Sequence, residues 1–164
     1  MRIVLSSVFL FTFALINASA QEVPKYYIAP NGNDAWSGRL AEPNAEKADG
    51  PWATIPGAKA AVREILKNNG FGAVRPMEIL IREGTYHIAE PLEFTLEDTQ
   101  WFVMPRQTVT WAAYPGEHAV ISGGVPRSNW NKEGNLCGAE MPDVKSGAWT
   151  FTALWVNGEY RRRA

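Results

Sequence analysis

Between Met77 and Gly124 the chain alternates short apolar runs with glycine, proline and charged residues, and no apolar period of 3.6 links one run to the next. The runs predict strands at residues 79–81, 86–88, 92–94, 109–111 and 120–121. Gly84 and the pair Pro115-Gly116 stand where the backbone would turn a corner. From Ile81 to Trp111 is 30 residues and from Phe94 to Ile121 is 27, offsets that fit the coils of a parallel β-solenoid.

The flanks read differently. Residues 26–29 predict one strand, closed by the turn cluster Pro30-Asn31-Gly32-Asn33-Asp34, and a polar loop then runs between Trp36 and Trp52. Thr54 is placed to cap a helix, because apolar and small residues recur at Ile55, Ala58, Ala61, Val62, Ile65 and Leu66 before Asn69-Gly70 stops it. An open solenoid end exposes unpaired strand edges and core, so an amphipathic helix here reads as a cap. Past Gly124, residues 130–135 are polar and turn-like, residues 149–152 predict a strand, and residues 154–161 form a hairpin about Asn157-Gly158. Solenoids need at least about three repeats to bury their faces. Two coils ending in mid-strand at Arg162-Arg163-Ala164 are therefore expected to be the opening piece of a longer protein.

Four stretches carry a family resemblance: Tyr26-Tyr27-Ile28-Ala29-Pro30-Asn31-Gly32-Asn33-Asp34, Gly50-Pro51-Trp52-Ala53-Thr54-Ile55, Arg82-Glu83-Gly84-Thr85-Tyr86-His87-Ile88, and Trp111 to Gly124. Together they resemble the N-terminal end of secreted right-handed parallel β-helix proteins of the pectate-lyase-like superfamily. The hairpin Leu154-Trp155-Val156-Asn157-Gly158-Glu159 with its following arginines looks like the start of the β-rich insertion of glycoside hydrolase family 141, similar to one in family 120. The resemblance implies a mostly β fold with this plan: signal peptide 1–20; strand, loop and capping helix 21–76; first β-helix coils 77–126; incomplete β-rich insertion 127–164. It implies an exported glycoside hydrolase of complex plant or cell-wall polysaccharides such as xylan or fucosylated pectin. The family's catalytic carboxylates would lie beyond Ala164, so no catalytic, cofactor-binding or metal residue is assigned and no cofactor is expected.

Composition bears on address and partner. Met1-Arg2, the apolar run 3–16 and the small residues Ala18 and Ala20 have the parts of a secretory signal, so the mature chain is expected to begin at Gln21 and to be secreted or periplasmic. Without Arg2, 15 basic residues face 17 acidic ones, a balance of −2 that leaves no footprint for nucleic acid or an anionic membrane and suits a polysaccharide or oligosaccharide. Cys137 is the one cysteine, which excludes an internal disulfide. Seven tryptophans suit sugar stacking, but for each one taken singly packing in a core is the stronger reading.

Individual polar residues nominate little chemistry. Hydrolysis of a glycoside needs two carboxyl groups about 5 to 9.5 Å apart on one sugar. Glu97 and Asp98 are adjacent, and in an extended segment neighbours face opposite ways. Glu83, Glu90, Glu93 and Glu117 read as solvated corner charges. His87, His118 and Cys137 lack ligand spacing. Asn31, Asn33 and Asp34 offer oxygens to calcium, although such turns more often bond their own backbone. Arg161, Arg162 and Arg163 suit an acidic sugar or a solvated strand end. Three functions stay open: glycosidase, polysaccharide lyase, and noncatalytic glycan-binding or adhesin-type β-helix.

Overall fold

Side chains alternate along the first strands and so define the core. In β1 (Lys25–Ile28) Tyr26 and Ile28 are buried, and in β2 (Met77–Ile81) Met77, Ile79 and Ile81 join them in one apolar cluster. The strands pair in parallel, with Tyr26 beside Ile79 and Ile28 beside Ile81. After β3 (Gly84–His87) comes β4 (Val109–Ala113), which pairs in parallel on the other side of β2 and gives the order β1-β2-β4. A second parallel pair joins β3 to β5 (Ala119–Ser122). The computed structural model describes residues 22–68, 76–99 and 108–162. The expected signal segment 1–20, the Asn69-Gly70 helix stop and Arg163 lie outside them.

Parallel partners need long crossovers, and the crossovers here set the repeat. Ile79 faces Trp111 at an offset of 32 residues, and Tyr86 faces Ile121 at 35. The difference lies in the corners: Arg82 and Glu83 link β2 to β3, whereas Tyr114 to His118 link β4 to β5. The expected offsets of 30 and 27 are corrected accordingly. The second failed because residues 92–94 are not a strand. Pro91 supplies no N–H for a ladder, and the chain turns at once into a 3-10 turn, Leu96–Asp98, closed by reciprocal hydrogen bonds between Thr95 and Asp98.

Helix α1 (Ile55–Asn68) presents Ile55, Ala58, Val62 and Leu66 to the same cluster. Its start is doubly tied. The Thr54 hydroxyl accepts from the Gly57 N–H at 3.0 Å, and Asp34 accepts from the Ala53 and Thr54 N–H groups at 2.9 Å and from the Thr54 hydroxyl at 2.7 Å. Trp52, only 1% exposed, stacks on Tyr26 with centroids 5.3 Å apart and donates its indole N–H to the Trp36 carbonyl at 2.9 Å. The loop between the two tryptophans is held across its base by Gly38 N–H to Gly50 carbonyl (3.0 Å) and by Asp49 bonding Ser37.

Corners are fixed as firmly as strands. Gly84 has φ +148°, and a Cβ there would lie 2.5 Å from Pro30 Cγ, so the corner requires glycine. Beside it Arg82 and Glu117 are separated by the same 35 residues as the β3–β5 ladder and meet in register: Arg82 Nε donates to both Glu117 oxygens at 2.9 Å. The same guanidinium holds the Ala41 carbonyl (2.8 Å) and Glu42 (2.7 Å), tethering the loop to the corner.

The chain divides into two compact units, Met1–Ser122 and Gly123–Ala164. The second holds two antiparallel hairpins, β6 (Asn131–Glu133) with β7 (Leu136–Gly138) and β8 (Leu154–Val156) with β9 (Glu159–Arg161), and the four-residue helix α2 (Pro142–Lys145). Asn157 at φ 53° and Gly158 at φ 79° make the predicted turn of the second hairpin. Residues 149–152 are not a strand, and the polar stretch 130–135 is half of a hairpin rather than a turn alone. The architecture is thus mostly β, in small sheets. No described helix is long and apolar enough to cross a membrane.

Candidate functional site

Two concave places stand out, one in each unit. In the first, an open groove of about 850 Å³ runs along α1 between Lys59 and Arg63 on one wall and Glu90, Glu93, Thr95 and Glu97 on the other. Its wall residue Arg63 is held in an ion pair. Asp98, 4% exposed, accepts from Arg63 Nε at 2.6 Å and Nη2 at 2.9 Å and from the Thr95 N–H at 2.7 Å, with Lys59 at 3.5 Å. The Arg63 guanidinium, helped by the Thr95 N–H and Lys59, holds the Asp98 carboxyl down at about 2 against the penalty of burial. A carboxylate so stabilised cannot serve as a proton donor near neutral pH. Glu97 also reaches Arg63, at 3.2 Å, so both acids address one guanidinium. The expectation that they face opposite ways failed because the segment is a 3-10 turn and not extended.

Glu117 is likewise not a solvated charge. Arg82 grips it, the Glu83 N–H donates to it at 2.7 Å, and its pKa is lowered, by Arg82 first and that N–H next. Arg82 is correspondingly raised by Glu117 and then Glu42, and its plane lies 4.8 Å over the Tyr114 ring. Tyr86 donates to the Arg82 carbonyl at 2.9 Å, and burial pushes its hydroxyl up to about 12, so it stays a neutral strut. Glu83, Glu90 and Glu93 are exposed, as are His87 and His118, and Cys137 is exposed and free.

The calcium candidates bond the protein itself. Asn33 Oδ1 accepts from the Ala35 N–H at 2.9 Å, Asp34 serves the start of α1, and Asn31 donates to Glu42 at 3.2 Å. Among the described residues no group of His, Cys, Asp and Glu is placed to hold a metal ion. Arg161 pairs with Glu159 on its own hairpin at 2.7 Å, and Arg162 is exposed.

The second unit contains a cleft of about 370 Å³ whose walls include Trp130, Trp149, Phe151, Trp155, Arg127 and Thr152. One ion pair organises it. Arg127 Nη2 meets Asp143 Oδ2 at 2.7 Å; the Trp149 N–H donates to that same oxygen, and the Trp130 N–H donates to the Arg127 carbonyl at 2.9 Å. Trp149 and then Arg127 lower the Asp143 pKa. Arg127 also lies 5.5 Å from the Trp149 ring, and Trp155 meets Tyr160 edge-on at 5.6 Å. Reading each tryptophan singly as core therefore holds for Trp52 and fails for Trp130 and Trp155, which are exposed. The missed signal was their gathering, with Trp149, on one short stretch of chain.

No protein-family model and no curated protein matches the chain. Among solved structures it is similar to a glycoside hydrolase, with 29% identity and a TM-score of 0.67 over 87% of this chain. The chain spans 22% of the length of that structure. This unit of parallel strands and helix, with the hairpins that follow it, is glycoside hydrolase-like in fold.

Proposed function

We propose that the chain is the N-terminal part of an exported glycoside hydrolase acting on complex plant or cell-wall polysaccharides. The observation that carries this reading is the 29% identity with a glycoside hydrolase across 87% of the chain, at a TM-score of 0.67. Two parallel ladders with offsets of 32 and 35 residues support a right-handed parallel β-helix that begins in this chain. In that architecture α1 is its cap, residues 127–164 open a β-rich insertion, and residues 1–20 direct export. Glu97 and the neighbouring Asp98 are committed to Arg63, and Glu90 and Glu93 on the groove wall are exposed, which supports placing catalysis elsewhere. The reaction would be carried by a carboxyl pair on later coils, one acting as acid and the other as nucleophile or base.

The test is to express the whole product of the reading frame that holds this chain and assay it on xylan and on pectic polysaccharides. Release of reducing ends without new ultraviolet absorbance, the signature of an unsaturated uronate made by β-elimination, supports hydrolysis. Absorbance gain would turn the reading to a lyase, and binding without cleavage to an adhesin.

A further inference from the structure

We propose that the cleft of the second unit binds a neutral oligosaccharide, with Trp155 as the open stacking platform and Trp130 and Trp149 as fixed walls. The proposal rests on the glycoside hydrolase reading only for the chemical class of ligand; the geometry of the cleft stands by itself.

Sugar recognition by aromatic rings depends on rings already held in place, since a ring that must be ordered on binding loses part of its gain. Here two indoles are held by their own N–H groups, Trp130 by the Arg127 carbonyl and Trp149 by Asp143. Neither therefore needs a ligand to satisfy its polar edge, and both can offer apolar surface to the C–H face of a pyranose. Trp155 lies at the mouth of the same cleft, 64% exposed, braced on one edge by Tyr160. Its cross-strand partner Tyr160 covers one edge of the indole, and the rest of the ring stays open to a ligand.

Charge decides between neutral and acidic sugars. A uronate would need a free cation in the cleft, and Arg127, the charged residue of its wall, already has its guanidinium on Asp143 at 2.7 Å. Arg161, which shares the hairpin with Trp155, is paired with Glu159, and neither it nor the exposed Arg162 lines the cleft. What remains is aromatic area with the Thr152 hydroxyl and backbone groups, a lining that fits uncharged rings.

The experiment is isothermal calorimetry on the full chain with xylohexaose as the probe, beside tri-galacturonate. Xylohexaose should bind saturably. Trp155→Ala should weaken it by about tenfold or more, equivalent to losing one good aromatic contact. Trp155→Phe, which keeps a stacking face, should stay within about threefold of the parent, and Leu136→Ala, on the other hairpin and 77% exposed, should leave affinity unchanged. No heat with xylohexaose, equal affinity in the Ala variant, or tighter binding of tri-galacturonate would each overturn the proposal. Its fate is separable from that of the catalytic reading: a hydrolase whose xylohexaose affinity ignores Trp155 sinks only this site, and a saturable Trp155-dependent site on a protein without hydrolytic activity sinks only the enzyme.

Discussion

The first unit is organised about a buried interior, whereas the second has no buried residue among those described. In the first, Trp52, Ile28, Ile79 and Val62 are fully buried at the meeting of two sheets and a helix. In the second, Leu136, Trp155, Val156 and Tyr160 stand in solvent, and order comes from two hairpin turns, the Arg127–Asp143 pair and indole hydrogen bonds. The contrast separates two tasks. Apolar burial fixes the position of strands, while polar fasteners hold aromatic faces open for something else to cover.

Substitutions that probe the two regions should differ most at the tryptophans. Trp52→Ala removes a side chain that is stacked on Tyr26 and enclosed by Gly38, and should cost about 3–5 kcal/mol in urea unfolding. Trp155→Ala should change stability by no more than about 0.5 kcal/mol, as at other exposed sites. Comparable losses would erase the distinction between the units.

Gly84→Val follows in size. It places a β-branched residue at φ +148° with its Cβ 2.5 Å from Pro30, for an expected loss of about 1–3 kcal/mol. Lys47 in the loop also sits at positive φ, 51°, so Lys47→Ala, which keeps a Cβ, should be neutral, and Lys47→Gly should gain up to about 1 kcal/mol. Thermal denaturation of the three variants checks the sign of each.

Acid should act on the first unit through Asp98. Its folded pKa of about 2 lies below the ordinary 3.8, so the stabilisation is present above the ordinary value and is lost as pH falls towards 2. Unfolding free energies from urea titrations should drop between pH 5 and 2 by more in the parent than in Asp98→Asn, a difference of about 1–2 kcal/mol. Parallel pH curves would remove Asp98 as the groove's anchor. A smaller effect is expected in the second unit, where acid releases Asp143 from Trp149 and Arg127 and should shift the tryptophan emission without a cooperative transition.

What could be read from the sequence follows the same division. Helix α1 was legible because Thr54, Ile55, Ala58, Val62 and Leu66 combine a cap with a stripe, and the strands about Ile79, Trp111 and Ile121 because β-branched and aromatic runs end at glycine or proline. The Asn157-Gly158 hairpin announced itself by its turn. The β6–β7 hairpin did not, although Gly134-Asn135 is a turn pair, because Asn131-Lys132-Glu133 shows no apolar alternation. Residues 92–94 looked like a strand by composition, yet tertiary pairing chose Tyr86 rather than Phe94 as the partner of Ile121. The pairs Arg82–Glu117 and Arg63–Asp98 each span 35 residues, and nothing local in either segment marks its partner. The aromatic cleft was hidden for a different reason: Trp130, Trp149 and Trp155 crowd one short stretch of chain, but whether a tryptophan is buried or exposed is a property of the fold.

Amide hydrogen exchange on the full chain, with and without xylohexaose, tests most directly whether one unit is a self-supporting scaffold and the other a ligand-facing surface. The account predicts that amides of Tyr26–Ile28 and Met77–Ile81 exchange only with global unfolding, that those of Leu154–Arg161 exchange within minutes, and that saccharide slows the second set alone. Equal protection of both sets without ligand, or slowing by saccharide confined to the first, would contradict it.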